Sequence, residues 1–214
     1  MKATLAALLL SLPLCGAGPK ITYTRSFPGS QPPYFCITVD RSGALAYKES
    51  PTDDHPVTAQ LPENDTAVLF DLAAKLNYFK TPLESGLKVA NTGKKTFRYE
   101  NGSEPASEAT FNYSVNPVAQ DLLARFENIA ATEQAYLDLD RTVHFDKLGV
   151  NDSLAEIESL WLKNQLAAPK QFLPLLNRIA SHESYMHLVR ERAARLKEEF
   201  ESGVSPGAAV GQKK

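Results

Sequence analysis

The chain has 214 residues, of which 43% are hydrophobic and 22% are charged. A chain of this length buries roughly 70% of the surface that it exposes when unfolded, so it needs neither a disulfide nor a metal to fold, and its ordinary apolar content excludes a collagen-like, disordered or multi-span membrane protein. The net charge of −2 argues against a nucleic-acid-binding protein, because neutralising phosphates requires a concentrated basic face.

The first 17 residues have the layout of a secretory signal peptide. Lys2 supplies a positive start, residues 3–14 form an apolar run, and small residues precede a cleavage site after Ala17. The run is too short to span about 30 Å of hydrocarbon. We therefore expect residues 1–17 to be removed and the protein to be exported, to the periplasm or the extracellular space. Lipid attachment at Cys15 and retention as an anchor are the alternatives.

Cleavage after Ala17 removes Cys15 and leaves Cys36 as the one remaining cysteine, so we expect no internal disulfide. Cys36 lies in the apolar, β-branched run 34–39, which predicts a strand. A reactive thiol needs electropositive neighbours, and none is evident beside it in the sequence. We expect a small buried side chain, with a nucleophile or an intermolecular disulfide as the alternatives.

Residues 18–115 have the pattern of a β-rich domain that contains one helix. The predicted strands are residues 21–25, 34–39, 44–48, 57–61, 95–100 and 109–115. A helical period over residues 65–79, closed by Pro82, interrupts them. Gly43 suits a hairpin turn because it tolerates a positive φ, and the loop 101–107 joins the last two strands as an antiparallel pair. This region predicts a small antiparallel sheet packed by one helix.

Residues 116–201 have the periodicity of helices. The predicted apolar stripes run from Val118 to Ile129, from Leu154 to Trp161, from Phe172 to Ile179 and from Tyr185 to Phe200, with a less regular segment at 132–148 that stops near Gly149. Asn116 and Pro117 predict a capped start for the first helix. Asn151 or Asp152 caps the next one, Pro174 predicts a kink or a restart, and Gly203 closes the last.

The predicted fold class is therefore α+β, with a helical C-terminal half. The predicted organisation is a signal peptide at 1–17, a β-rich domain at 18–115, a helical region at 116–201 and a disordered tail at 202–214.

The stretch from Arg25 to Tyr34, RSFPGSQPPY, is followed by an Ile-Thr-Val strand and a hairpin to Tyr47. It resembles the start of a family of exported bacterial proteins of unknown function that have a small sheet domain, over about residues 20–80. That family usually has Cys-Phe-Gly-Xaa-Cys-Pro before the tyrosine, and both cysteines are absent here, so no role of theirs carries over. Residues 143–150, VHFDKLGV, are similar to a segment of larger exported bacterial chains. The resemblance implies a fold and an exported location, and no reaction.

The sequence has no nucleophile elbow, phosphate-binding loop, dinucleotide fingerprint or His-Glu-x-x-His motif. Its densest group of possible catalytic or metal-binding side chains is Asp138, Asp140, His144 and Asp146. On a helix, Asp140 and His144 share a face. Arg141 and Lys147 lie nearby to neutralise the carboxylates, which favours a solvated, salt-bridged face. Asp140, His144 and Asp146 are the candidates for general-base or metal chemistry under the alternative interpretation.

Two features of the β-rich domain are candidate binding surfaces. The loop 26–33 is either a ligand-binding loop on a rigid sheet or a stiff connection between strands. The tyrosines on predicted strands, which offer a stacking face for a sugar or a peptide, are Tyr23, Tyr34, Tyr47, Tyr99 and Tyr113. Strand propensity explains these tyrosines equally well.

We expect an exported, non-enzymatic binding or protein-interaction module, because a recognisable catalytic set is missing and because a partner can cover the helical stripes. The expected partner is a protein of the cell envelope, with no nucleic acid, no cofactor, no metal and no membrane span after cleavage. The alternative is an exported hydrolase that uses Asp140, His144 and Asp146, which requires these groups to converge in a pocket. A subunit of an envelope assembly is a third possibility.

Overall fold

The computed structural model describes residues 18–102 and 104–203. The predicted signal peptide and residues 204–214 of the predicted tail lie outside this part. Ser202 is the last residue of a helix, and Gly203 is its C-cap in the left-handed conformation, with φ 69°. The helix that precedes the predicted tail therefore extends one residue into it. The described part has an antiparallel sheet followed by a helical half, which confirms the predicted α+β class.

The sheet contains six strands in one antiparallel layer. They are β1 (Lys20–Ser26), β2 (Tyr34–Asp40), β3 (Ala44–Lys48), β4 (Val57–Gln60), β5 (Lys94–Glu100) and β6 (Ser107–Phe111). Their order in space is β4-β3-β2-β1-β5-β6, so β1 lies in the middle. The last strand ends at Phe111 and not at residue 115, because Asn112 turns away and its backbone N–H donates to Glu84 at 2.6 Å.

Five α-helices complete the fold. They are α1 (Glu63–Lys75), α2 (Pro117–Phe145), α3 (Val150–Leu162), α4 (Leu173–Ser181) and α5 (His187–Ser202). Asn116 caps α2 as predicted, since its side chain accepts from the N–H groups of Val118 and Ala119. The predicted caps at Asn151 and Asp152 are wrong, because both lie inside α3.

Two boundaries between helices differ from the expected ones. The segment 132–148, predicted as a separate and less regular piece, is the second half of α2, which runs unbroken for 29 residues. Pro174 marks a restart, as one of the two predicted outcomes: a 3₁₀ turn (Pro169–Phe172) ends there and α4 begins with the proline in its first turn.

Helix α2 spans two hydrophobic cores and is about 44 Å long at 1.5 Å per residue. Its first half packs with α1 on one face of the sheet, where the rings of Tyr23, Phe79, Phe111 and Phe126 surround Phe97. Its second half packs with α3, α4 and α5 in a core that contains Trp161, Phe172 and Phe200. Two helices, α1 and α2, therefore cover the sheet where one was expected.

The other face of the sheet is open and rich in threonine. The hydroxyls of Thr22 and Thr38 lie 3.2 Å apart across β1 and β2. Beside them, the Thr24 hydroxyl donates to Cys36 Sγ at 3.8 Å. The prediction of a buried Cys36 is wrong, because its side chain is half-buried on this face. Among the described helices, none combines the length and the apolar character needed to cross a membrane.

Candidate functional site: a tyrosine cleft

The predicted catalytic candidates lie on the surface near the C-terminal end of α2. His144 Nδ1 is 3.4 Å from Asp140 Oδ1, and its Nε2 is 3.3 Å from Arg178. Asp146 follows the helix, and its Oδ1 accepts from the N–H of Gly149 at 3.2 Å. The structure therefore brings Asp140 and His144 together, whereas the Asp146 side chain is hydrogen-bonded to the backbone at the start of α3. In the described part, no group of three or more His, Cys, Asp or Glu side chains is placed to hold a metal ion.

The loop 26–33 is internally bonded. The Phe27 N–H donates to the Pro33 carbonyl at 2.8 Å, and Ser30 Oγ lies 2.8 Å from the carbonyl oxygens of both Phe27 and Pro32. These bonds favour the stiff connection over a mobile ligand loop. The loop borders a cleft of about 120 Å³ that also involves Arg25 and Glu127.

The charged cluster behind this loop ties the sheet to α2. The Tyr23 hydroxyl donates to Glu127 Oε1 at 2.6 Å, and Arg25 donates to Glu127 Oε2 at 2.9 Å. Burial and the carboxylate together raise the pKa of Tyr23 far above its ordinary value, so the hydroxyl stays a donor. Lys95, opposite Arg25 in the register, bonds to oxygens of the neighbouring loops. Burial, followed by the charge of Arg25, lowers its pKa.

A strained turn follows α1. Asn77, Tyr78 and Phe79 all have a positive φ, of 51°, 50° and 65°. The left-handed region costs a residue with a side chain roughly 1–2 kcal/mol, so three in succession must be held by their surroundings. Phe79 is buried and stacks on Phe97 with 5.2 Å between ring centroids. The Ser107 hydroxyl donates to the Tyr78 carbonyl at 2.5 Å.

The turn places the ring of Tyr78 against that of Tyr99, with centroids 4.5 Å apart and an angle of 32° between the rings. Both side chains are half-buried. They lie beside a cleft of about 250 Å³, the tyrosine cleft, whose other lining residues are Lys80, Asn101, Glu104, Pro105 and Ser107. Burial first, and Tyr78 second, raise the pKa of Tyr99, while Arg41 lowers it by less. The Tyr99 hydroxyl therefore remains neutral and able to donate.

The strand tyrosines do not form one stacking face on the surface. Tyr23 and Tyr47 are fully buried core residues, Tyr34 lies at the edge of the open face, and Tyr113 follows β6. Tyr99 is the one strand tyrosine in the tyrosine cleft. The sequence does not single out its partner Tyr78, because the predicted helical period continues through residue 79. Asn77 carried the available signal, since Asn tolerates a left-handed conformation better than most residues.

The stripe from Val118 to Ile129 is buried in the first core, and the other apolar stripes of the helical half are buried against one another in the second core, so they are not available to a partner. The large apolar side chains that remain exposed there include Phe145, Leu148, Met186 and Leu188, at 87%, 81%, 61% and 66% exposure. They lie on two turns that are adjacent in space, because Lys147 Nζ donates to Ser184 Oγ at 3.0 Å. Nothing described covers this corner of the molecule.

Comparison with protein-family models gave no match, and a search of curated proteins gave none either. The resemblance to exported bacterial proteins therefore stays a prediction.

Proposed function

We propose that this is an exported, non-enzymatic binding protein and that the tyrosine cleft is its ligand site. The observation that carries the proposal is the stacked pair of Tyr78 and Tyr99, held by a strained turn at the edge of a concave surface. Strain of this kind clusters at ligand sites, because the surrounding packing must fix a conformation that the chain disfavours. The exported location is proposed from residues 1–17 alone.

The chemistry of the lining favours a sugar ring as the ligand. A tyrosine offers an apolar ring face together with a polar tip, which suits a pyranose because it has an apolar C–H face and a rim of hydroxyls. Lys80 supplies donors, Glu104 supplies acceptors and Asn101 supplies both. The cleft is smaller than the roughly 300–1,000 Å³ of drug-sized ligand sites. We therefore expect it to hold one terminal sugar ring, with the rest of the glycan in solvent.

The expected partner in the cell envelope is compatible with this proposal where a protein or another envelope component carries a glycan. The hydrolase alternative requires Asp140, His144 and Asp146 to converge in a pocket. All three are on the surface, and Asp146 is bonded to Gly149. This arrangement does not favour the hydrolase alternative.

The test is a titration of the isotopically labelled protein with oligosaccharides built from glucose, galactose, mannose and N-acetylglucosamine, followed by NMR. We expect backbone shifts confined to residues 77–80 and 99–107. Tyr99→Ala should raise the Kd at least about fivefold, since stacking on an aromatic ring is worth about 1–3 kcal/mol. Tyr113→Ala is the matched control, because Tyr113 is also partly exposed, at 39%, but does not line the cleft.

Two outcomes contradict the proposal. One is the absence of shifts with every oligosaccharide at millimolar concentration. The other is binding that Tyr99→Ala and Tyr113→Ala weaken equally, because the ligand would then lie elsewhere on the molecule.

A further inference from the structure

The connection between α3 and α4 is held on the middle of α2 by two successive α2 residues. The Thr132 hydroxyl accepts a hydrogen bond from the backbone N–H of Ala167 at 2.9 Å. Glu133 Oε1 accepts one from Gln171 Nε2 at 3.0 Å. Glu133 is 0% exposed, and burying a carboxylate is costly unless it is paired and hydrogen-bonded. The protonation state of Glu133 therefore affects how well this connection docks on α2.

One proton accounts for two buried oxygens that otherwise have no partner. Glu133 Oε2 and Gln171 Oε1 are both shielded from solvent, and neither has a hydrogen-bond partner among the described residues. An ionised carboxylate and an amide oxygen are both acceptors, so they cannot bond to each other. A proton taken from solvent onto Oε2 lets it donate to the amide oxygen, while Oε1 keeps its bond from Nε2.

We propose that Glu133 is a neutral carboxylic acid paired with the Gln171 amide through two hydrogen bonds, and that loss of its proton loosens the α3–α4 connection from α2. The Glu133–Gln171 pair lies between the two cores, because Glu133 is located where α2 passes from one core to the other. It makes the packing of the helical half dependent on pH.

The surroundings of Glu133 favour the neutral acid. Burial raises the pKa of Glu133 to about 7, and the bond from Gln171 lowers it by less. Among the described residues, two titratable groups respond to the charge of Glu133: Tyr47 on β3, which also bonds to Glu49, and Tyr136 on α2, which also responds to Asp140. Lys170 precedes Gln171 on the 3₁₀ turn. The Glu133 charge acts on the pKa of Tyr47 and Tyr136 in the raising direction. Within the described part, no cation acts on Glu133 itself.

The sign of the pH dependence follows from this shift. An acid whose pKa is higher in the folded state stabilises the fold at low pH and loses that contribution as the pH rises. Since the ordinary value for Glu133 is 4.5, the loss extends from pH 4.5 to about 7 and is complete above that. Above pH 7 the ionised carboxylate and the amide oxygen are both acceptors, and Oε2 has no proton to donate.

The first experiment compares the native chain with Glu133→Gln, whose amide restores both hydrogen bonds at every pH. Urea unfolding is measured for both from pH 5 to pH 8. From the two pKa values, the unfolding constant of the native protein should rise on the order of 100-fold relative to that of the variant. The same pH dependence in both proteins overturns the proposal.

The second experiment detects the proton directly and does not depend on stability. Infrared spectra at pH 6 should show the band of a protonated, buried carboxyl group in the native protein and in the control Glu127→Gln, but not in Glu133→Gln. Hydrogen exchange at the N–H of Ala167 should accelerate above pH 7, beyond the chemical rate, in the native protein and not in Glu133→Gln. A native protein without the band at pH 6 overturns the proposal, whatever the variants do.

Discussion

Arg25 on β1 and Glu127 on α2 form an ion pair with 2.9 Å between Nη1 and Oε2, although 102 positions separate them in the chain. The same carboxylate accepts from Tyr23. β1 is one of the two central strands of the sheet, and α2 extends into both cores. This one carboxylate therefore fixes the helix that spans both cores on the centre of the sheet.

Glu127→Gln should destabilise the protein by about 1–3 kcal/mol, because a partly buried Arg25 loses its counter-charge and an amide is a weaker acceptor. Urea unfolding at neutral pH measures the change. The control is Glu108→Gln, which removes the partner of Arg98 at 3.4 Å from a pair that is 43% and 56% exposed. An exposed pair of that kind contributes about 0–1 kcal/mol. Equal losses in the two variants would show that the Arg25 pair has no special role.

Gly43 should tolerate no side chain, in contrast to Gly86. Gly43 has φ 85°, and a Cβ there would lie 2.7 Å from the Gln60 side chain and 2.8 Å from the Leu61 carbonyl. Gly86 has φ 69°, with no atom within 4 Å of such a Cβ. Gly86→Ala therefore measures the conformational strain alone, about 1 kcal/mol, whereas Gly43→Ala adds the clash. A thermal unfolding scan should place Gly43→Ala well below Gly86→Ala, and the reverse order would contradict the turn geometry.

Much of the β-rich half follows from local pattern, and the helical half follows less well. Alternation located five strands to within a residue or two, because each of these strands has one face turned to the core, which is buried in four of them and partly buried in β4. The continuity of α2 was harder to predict since its apolar stripe changes direction: Phe126 faces the first core and Leu139 the second, with Thr132 and Glu133 between them. In a sequence, one helix whose apolar stripe changes direction has the pattern of two separate helices.

The functional candidates depend on contacts that no local pattern encodes. Tyr78 contacts Tyr99 in a turn where the neighbouring Phe79 packs against Phe97. This tertiary packing overrides the helical period. In the same way, the sequence interval of 38 between Glu133 and Gln171 hides their pairing. Sequence reasoning identified Tyr99 as one of five candidates and had no means of selecting it.

The backbone strain at Tyr78 can be separated from its ring. Tyr78→Ala and Tyr78→Gly both remove the stack on Tyr99, so they differ only in the cost of φ 50°. Glycine adopts that region freely, whereas alanine is disfavoured by roughly 1–2 kcal/mol. We expect Tyr78→Gly to be the more stable variant in urea unfolding, by about 1 kcal/mol. At an ordinary helical position the order is reversed, and finding that order here would refute the left-handed turn.

The two cores should unfold together, because α2 belongs to both. Trp161 is the single tryptophan of the chain and lies in the second core, so its fluorescence reports that core, while the NMR signals of the Tyr23 and Tyr47 rings report the first. Leu154→Ala removes a side chain that is fully buried in the second core and should cost about 2–5 kcal/mol. If α2 couples the cores, both signals shift to the same lower urea midpoint. A shift confined to Trp161 fluorescence would mean that each core folds on its own.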